Sequence, residues 1–504
     1  MKFLEKFESY AARDPDRLAH VHRGGQITYG ELARRSDALA VFLTQILPND
    51  RGPIAVYGHK QSEMLVAFFA ALKSGHAYVP VEASLPIERI RRIIESSAAR
   101  CVVSVAALPS GVEVEHIVLP EELRTIITDA DGRRPPAAAH VTAEENVYIM
   151  FTSGSTGEPK GVQITGACLS SFLDWATTLF PIPDATRFLN QAPFSFDVSV
   201  MDIYVALTNG GTVFSVDKAM LSNPILLLES LQRWKIDVWS STPSFAELCL
   251  KMTRFNTTQL GPIAVFLFCG EVLVPECPRA LRERFPQARV INTYGPTEAT
   301  VAVTSVEIDD TVLSRPGPLP LGRVKPDCQL EIVDETGHRV AEGERGEVII
   351  VGPSVSPGYY RDPDRTDKAF FVTPRGRAYR TGDAGSVVEE TLYYFGRIDL
   401  QIKLRGQRIE LEDIEANLNT LPYVQRAVVL PILKAGRCEA LVAVVCGDAD
   451  QDVDRIKADL GARVPEYMVP RYIEFRADFP LNANGKVDRK RLRALLDASV
   501  GVDT

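Results

Sequence analysis

Residues 152–161, TSGSTGEPKG, concentrate groups that bind phosphate. Thr152, Ser153, Ser155 and Thr156 offer hydroxyls, Gly154, Gly157 and Gly161 let backbone N–H groups approach closely, and Lys160 adds a cation. This composition suits a loop that cradles a polyphosphate. It is not a Walker loop: in G-x-x-x-x-G-K-[ST] counted from Gly154, Pro159 stands where the second glycine belongs and Gly161 where the hydroxyl belongs. Near the other end, NGKVDR (484–489) sets Lys486 in a glycine-containing turn. A point charge on a flexible stem can there bridge carboxylate and phosphate oxygens. The plain alternative is a solvated lysine in a basic tail with Arg489, Lys490, Arg491 and Arg493. The eight cysteines lie apart with no C-x-x-C pair and no histidine motif, so they signal neither zinc, nor a disulfide framework, nor a nucleophile. They read as buried reduced thiols.

These groups need elements to hold them. The phosphate segment follows a strand-like run at 147–151 and precedes another at 162–164. Helix signals at Met64, Leu65, Phe68, Phe69 and Leu72, closed by Gly75, and at Ile87, Ile90 and Ile94 after Pro86, alternate with strand-like runs at 55–57 and 101–104. Such alternation predicts α/β layers with a largely parallel sheet. A polar stretch from Gly396 to Gln401 precedes a segment of different texture: a helix on Leu411, Ile414 and Leu418, strands at 427–430 and 441–445, a helix, and a strand at 472–475. The expectation is a large α/β domain over 1–396, with mostly parallel sheets, and a small α+β domain over 397–504. Residues 129–139, with two arginines, two prolines and a run of alanines, read as an exposed connection.

The chain has 504 residues, which predicts two to four domains. Hydrophobic residues at 45% and charged residues at 24% support a large core and carry no disorder signature. A net charge of -9 argues against a nucleic-acid partner, which would need a clustered basic surface. The start, MKFLEKFESYAARDPDR, lacks the pattern of a secretory signal, and the apolar run at 64–72 is too short to span a bilayer. A cytoplasmic chain without membrane insertion is expected.

The phosphate segment resembles the signature loop of adenylate-forming enzymes: acyl-CoA ligases, luciferases and amino-acid adenylation domains. Further motifs similar to that family's follow in order: ITYGEL (27–32), LKSGHAYVPVE (72–82), FSFDVS (194–199), NTYGPTE (292–298), GEVIIVG (346–352), YRTGD (379–383), GRIDLQIKLRGQRIELEDIE (396–415), VPEYMVP (464–470) and NGKVDR. Together they cover essentially the whole chain. The resemblance implies that ATP and Mg²⁺ activate a carboxylic acid as an acyl-adenylate, with positive charge needed where the carboxylate attacks and pyrophosphate leaves. It makes Lys486 the lysine of the adenylation step. Glu298, a hard oxygen ligand, suits magnesium, and the two are the catalytic candidates. The resemblance assigns the nucleotide to the phosphate loop, to Asn292, Thr293, Tyr294, Gly295, Pro296 and Thr297, and to Asp383, Tyr394 and Arg397. In that set Asn292 and the Tyr294 ring face adenine, Thr297 meets the α-phosphate, and Asp383 accepts from two ribose hydroxyls.

Asp197, in FSFDVS, points to an amino-acid substrate, whose buried ammonium group needs a carboxylate partner. The resemblance also suggests a pocket of Val198, Met201, Leu267, Cys269 and Val301, with Lys486 reaching the substrate. These are apolar, mid-sized side chains that leave room for little beyond a methyl group. The segments at 190–204, 241–250 and 266–272 look closer to ligases that load D-alanine onto a carrier protein than to generic peptide-synthetase modules. D-alanine is the expected substrate, and L-alanine or glycine the alternative. Cys269 stands where many relatives carry a smaller residue, and its bulk would make the pocket selective for D over L. The chain carries no attachment site for phosphopantetheine, so the acceptor thiol is expected on a separate carrier protein. Asp399, in a stretch that resembles the family hinge, would let the small domain rotate between the two half-reactions. An acyl-CoA ligase, disfavoured by Asp197, and a catalytically dead nucleotide sensor are the rival readings. Asn482 replaces the threonine common in relatives and is expected to alter only the turn before Lys486.

Overall fold

Runs that are apolar on both faces decide the first sheet. Ile54–Gly58, Tyr78–Glu82 and Cys101–Ser104 are buried at every residue, as strands covered by helices on both sides must be. The computed structural model of the chain describes residues 1–128, 132–154, 158–434, 437–446, 452–480 and 487–499, with side chains to 496. They form two units: residues 1–83, 93–151 and 161–398, and residues 84–92, 152–160 and 399–504.

The three buried strands belong to a six-stranded sheet in the order His116–Val118, Cys101–Ser104, Ile54–Gly58, Tyr78–Glu82, Asn146–Thr152, Lys160–Thr165. Its pairings from the first strand to Asn146–Thr152 are parallel. In the larger, 14-stranded sheet a parallel half runs Leu18–His22, Thr212–Ser215, Arg187–Asn190, Val238–Ser241, Val265–Phe268, Arg289–Tyr294. From Thr304–Glu307 onward the same sheet continues antiparallel through Gly322–Val324, Thr391–Arg397, Gly376–Val388, Gly346–Val351 and Gln329–Val333. The helix–strand alternation of the sequence foretells the parallel parts. The antiparallel arm lies where helix signals give out.

The predicted helices are Ser62–Lys73 and Ile87–Ser97. Ser62–Lys73 is apolar all round because it is the filling between layers: Met64 to Leu72 pack in one cluster with Val56 and Val103 of one sheet and Val213 and Val238 of the other. Helix Tyr29–Ile46 starts at a capping box in which Thr28 and Glu31 satisfy each other's backbone N–H groups. Of residues 129–139, Asp129, Ala130 and Asp131 lie outside the described residues, and the rest is largely exposed around a single 3₁₀ turn at Ala137–Ala139. Seven of the eight free cysteines are buried and Cys438 is half-buried.

In the second unit, strands Arg426–Lys434, Arg437–Cys446 and Tyr472–Phe475 form one sheet. Alternate residues feed two cores. Ala427, Val429, Leu441, Ala443 and Val445 pack with helix Leu411–Leu418, while Val428, Leu430, Val442 and Val444 pack with Phe479, Leu492 and Leu496. No helix among the described residues is long and apolar enough to cross a membrane.

Lys73 closes its helix with an ammonium group only 1% exposed, donating to Asp37 Oδ1 at 2.7 Å and to Ser36 Oγ at 3.0 Å, with Glu8 as a second carboxylate partner. Removing the cation takes away the partner of Glu8 and leaves the buried Asp37 carboxylate only the exposed Arg134, 3.2 Å from its other oxygen. Lys73→Met is expected to destabilise the first unit by about 3–5 kcal/mol, read as a drop in urea midpoint, and a change below about 1 kcal/mol would refute the pairing.

Candidate active site

Parallel strands end on one edge, and the predicted site residues follow those ends in turn. Asn190, Ser241, Phe268 and Tyr294 terminate four strands in lateral register, with Ser240 opposite Asn190, Ser241 opposite Phe268 and Phe268 opposite Asn292. Asp197 and Val198 come after the first strand, Cys269 directly after the third, and residues 295–301 after the fourth. Segments far apart in sequence are thereby delivered to neighbouring positions.

Tyr294, at the end of its strand, donates its hydroxyl to Asp383 Oδ2 at 2.5 Å. Burial, then the Asp383 charge, raise its pKa well above the ordinary tyrosine value, so the hydroxyl keeps its proton and remains a donor. Arg397, opposite Asp383 in the antiparallel pairing, donates to Asp383 Oδ1 at 2.9 Å and to the Thr381 carbonyl at 2.7 Å. Tyr394, half-buried on the same strand, packs in the apolar cluster that contains Tyr294 and Tyr379. Asp383, Arg397, Tyr394 and Tyr294 thus form one polar and aromatic wall. Thr293 is spent on structure, donating to the Phe268 carbonyl at 2.8 Å.

Asn292 is 1% exposed; its Nδ2 donates to the Pro320 carbonyl at 3.0 Å, while Oδ1 has no partner among the described residues. An orphan acceptor in a dry site has a full desolvation cost, which an amino N–H of a bound base would remove. Thr297 and Glu298 lie in the 3₁₀ turn Thr297–Ala299, introduced by the extended Pro296. Glu298 is fully buried, and its Oε1 accepts from the Tyr359 hydroxyl at 2.8 Å.

Met201, Leu267, Cys269 and Val301 are at most 3% exposed and share one apolar cluster, with Val198 packed against it. Thr300 and Val301 take φ of 61° and 69°, a left-handed conformation that branched side chains adopt only under constraint. The turn folds back on Gly295, where a Cβ would meet Ala302 Cα at 2.5 Å, and it sets the Val301 carbonyl 3.7 Å from Cys269 Sγ. Behind Met201 and Leu267 lies a cavity of only about 10 Å³, about what a single water needs. Asp197 is the N-cap residue of helix Val198–Leu207, half-buried, and makes no side-chain cap bond. Its charge is felt at the buried Tyr148 hydroxyl, whose pKa burial pushes well above the usual value.

Of the phosphate loop, Thr152, Ser153, Gly154 and Lys160 are described, whereas Ser155, Thr156 and Gly157 lie outside the described residues, as does Lys486. Thr152 Oγ1 is buried without a partner among the described residues. Within the second unit Ser153 Oγ donates to the Arg408 carbonyl at 3.0 Å and accepts from Glu410 N at 3.1 Å, and Lys160 Nζ lies 3.5 Å from Glu410 Oε1. Asp399, exposed, accepts from Gln401 N at 3.1 Å.

Two features escape a reading of the sequence. Tyr359, 61 residues from Glu298, carries no local signal, and the left-handed pair Thr300 and Val301 contains no glycine to betray it.

The chain matches the family model described as AMP-binding enzyme over residues 7–360 and that described as AMP-binding enzyme C-terminal domain over 413–486. It is 48% identical, over 98% of its own length and 99% of theirs, to proteins named D-alanine--D-alanyl carrier protein ligase from Bacillus thuringiensis (strain Al Hakam) and Bacillus cereus (strain B4264). Among solved structures it superposes at TM-score 0.82 and 27% identity on holo-PA1221, an NRPS protein containing adenylation and PCP domains, covering 98% of this chain and 84% of that one. A Vibrio cholerae adenylation domain, AlmE, solved with glycyl-adenosine-5'-phosphate, shares the fold at TM-score 0.83 and 23% identity, with 98% of each chain covered. With both sheets, the strand-end loops and the whole length accounted for, the chain belongs to the AMP-binding enzyme family of adenylate-forming ligases.

Proposed function

We propose that this enzyme activates D-alanine with ATP as D-alanyl-AMP and passes the alanyl group to the phosphopantetheine thiol of a separate carrier protein. The observation that carries this reading is the buried apolar cluster that Met201, Leu267, Cys269 and Val301 share, in a chain 48% identical along its length to ligases of that name. In this reading these side chains bound a substrate pocket that accepts little beyond a methyl group.

In this reading Asp197 pairs with the substrate ammonium. Residues 152–160 hold the phosphates, Asn292 and Tyr294 the adenine, Thr297 the α-phosphate, and Asp383 with Arg397 the ribose. The alanine carboxylate attacks the α-phosphorus, the bond to the β-phosphate bridging oxygen breaks, and pyrophosphate departs. Lys486 steadies both anions as charge shifts between them. Glu298 fits a magnesium ligand, being a buried hard oxygen donor oriented by Tyr359. A magnesium ion there supplies positive charge for the leaving pyrophosphate. In the second half-reaction the carrier thiolate attacks the alanyl carbonyl and AMP leaves. We take the division as a large domain over 1–396 and a mobile small domain over 397–504 that turns about Asp399 between the steps. The cytoplasm is the compartment that supplies ATP, and cell-envelope polymers of the lipoteichoic acid type are the proposed destination of the alanyl group.

Exchange of labelled pyrophosphate into ATP is expected with D-alanine at least about tenfold above L-alanine, glycine or D-serine; equal or greater exchange with glycine or L-alanine would overturn the substrate assignment. Lys486→Ala is expected to lower D-alanine-dependent exchange by about 10² to 10³, and chelation of magnesium to abolish it until magnesium is restored. Cys269→Ala is expected to lose most of the preference for D- over L-alanine, measured as the ratio of kcat/KM values. A variant that keeps the full ratio removes the role assigned to the thiol.

A further inference from the structure

Behind the amino-acid pocket of the first unit, a buried polar cluster is built around the ammonium of Lys60, a residue that no motif singled out. Lys60 is 2% exposed, and Nζ donates to Asn190 Oδ1 and to the Ala192 carbonyl, 4.7 Å from the centre of the Phe194 ring. Asn190 is saturated: Oδ1 also accepts from Ser215 Oγ at 3.0 Å, and Nδ2 donates to Asp202 Oδ2 at 2.9 Å and to the Ala192 carbonyl at 3.3 Å. Because the Ser215 proton is committed to Asn190, Ser215 Oγ accepts from His20 Nε2 at 2.9 Å, which leaves His20 Nδ1 to accept from Ser62 Oγ at 2.9 Å. Burial holds the His20 pKa well below its usual value, so a neutral ring with one donor and one acceptor is the form this chain of bonds requires.

The bonds made by Lys60 and by the Asn190 amide fall on one stretch of chain, from Asn190 to Asp202. Asn190 ends a strand, Ala192 and Phe194 lie in the loop after it, and Asp202 sits in the second turn of helix Val198–Leu207. Asp197 lies between the anchored points. The loop has little ladder of its own: Phe196 N donates to Pro193 O at 3.0 Å and Ser199 N to Phe196 O at 3.0 Å. The Ala192 carbonyl would be an orphan acceptor without Lys60 and Asn190. Phe194, 1% exposed, is packed 6.0 Å from both Phe68 and His20.

We propose that Lys60 is a positioning residue for amino-acid binding: by tying Asn190, Ala192 and Phe194 together, and Asp202 through Asn190, it fixes the loop and helix start that present Asp197 to the substrate. Desolvating an ammonium group is costly where no carboxylate touches it directly, and a neutral apolar filling would serve a core better. The cost is borne under the loop whose end presents the Asp197 carboxylate.

The inference rests on the proposed pairing of Asp197 with the substrate ammonium, and the test separates the two. Pyrophosphate exchange is measured on full-length Lys60→Met, Asp197→Asn and the double variant, with KM read separately for D-alanine and ATP. Lys60→Met is expected to raise the D-alanine KM at least about tenfold while the ATP KM stays within about twofold, and to add little in the Asp197→Asn background, since both act through one carboxylate. An unchanged D-alanine KM in folded Lys60→Met, an equal rise in both KM values, or full additivity with Asp197→Asn overturns the positioning role. An unchanged D-alanine KM in Asp197→Asn instead overturns the pairing on which it rests. Should Lys60→Met not fold, Lys60→Gln, which keeps one amide donor group, is measured in the same way with a smaller selective rise expected and the same outcomes decisive.

Discussion

A parallel sheet must release every strand at the same edge, and the candidate site is a consequence of that constraint. Because the strands ending at Asn190, Ser241, Phe268 and Tyr294 lie side by side, the loops that follow emerge at neighbouring positions without any long excursion. The same edge is where strand carbonyls lose their ladder partners, so it gathers polar side chains: Asn190 and Ser215 opposite each other on two paired strands, Asn292 and Thr293 in succession on a third. Chemistry is placed where the backbone already has unsatisfied capacity.

The carboxylates that the first unit carries at this edge are constrained in different ways. Asp383 is gripped by Tyr294 and Arg397, so its oxygens have fixed directions. Glu298 is oriented by Tyr359. Asp197 heads a helix, and the loop that delivers it is fastened upstream at Ala192 and Phe194. A carboxylate near an anionic substrate is useful only if it meets a cation or a hydroxyl donor and nothing else, which makes such orientation a functional requirement.

Much of this was legible from the chain. Helical and strand periodicities located Ser62–Lys73, Ile87–Ser97 and the three strands of the small sheet, because each buries one face or all faces against a layer. Short motifs named Asn292, Asp383 and Asp197, because each sits in a run of restricted composition, the first two on strands and the third at a helix N-cap. The antiparallel arm from Thr304 onward was not legible, since strands of that kind share their apolar alternation with many arrangements and only pairing over long separations decides among them. Tyr359 was hidden for the same reason, and so was Lys60: a lone lysine just past a strand-ending Gly58 and His59 reads as a surface residue until the fold seals it in. Thr300 and Val301 were hidden because the force that bends them, close passage over Gly295, is tertiary.

Two buried lysines show how burial alone says little about role. Lys73 faces carboxylates of Asp37 and Glu8, so its charge is matched by contact and its work is to join helices. Lys60 faces a side-chain amide and a backbone carbonyl, with Asp202 one hydrogen bond further away. Burial lowers the Lys60 pKa and raises that of Asp202, so each opposes its own ionisation and each is supported by the other's charge. Such a pair adds little net stability compared with an apolar filling. What it adds is direction, because hydrogen bonds to Ala192 and Asn190 have fixed geometry where packing would tolerate a slide. If Asp197, five residues on, meets a substrate charge as proposed, a loop that cannot slide is worth a buried lysine and aspartate that stabilise weakly.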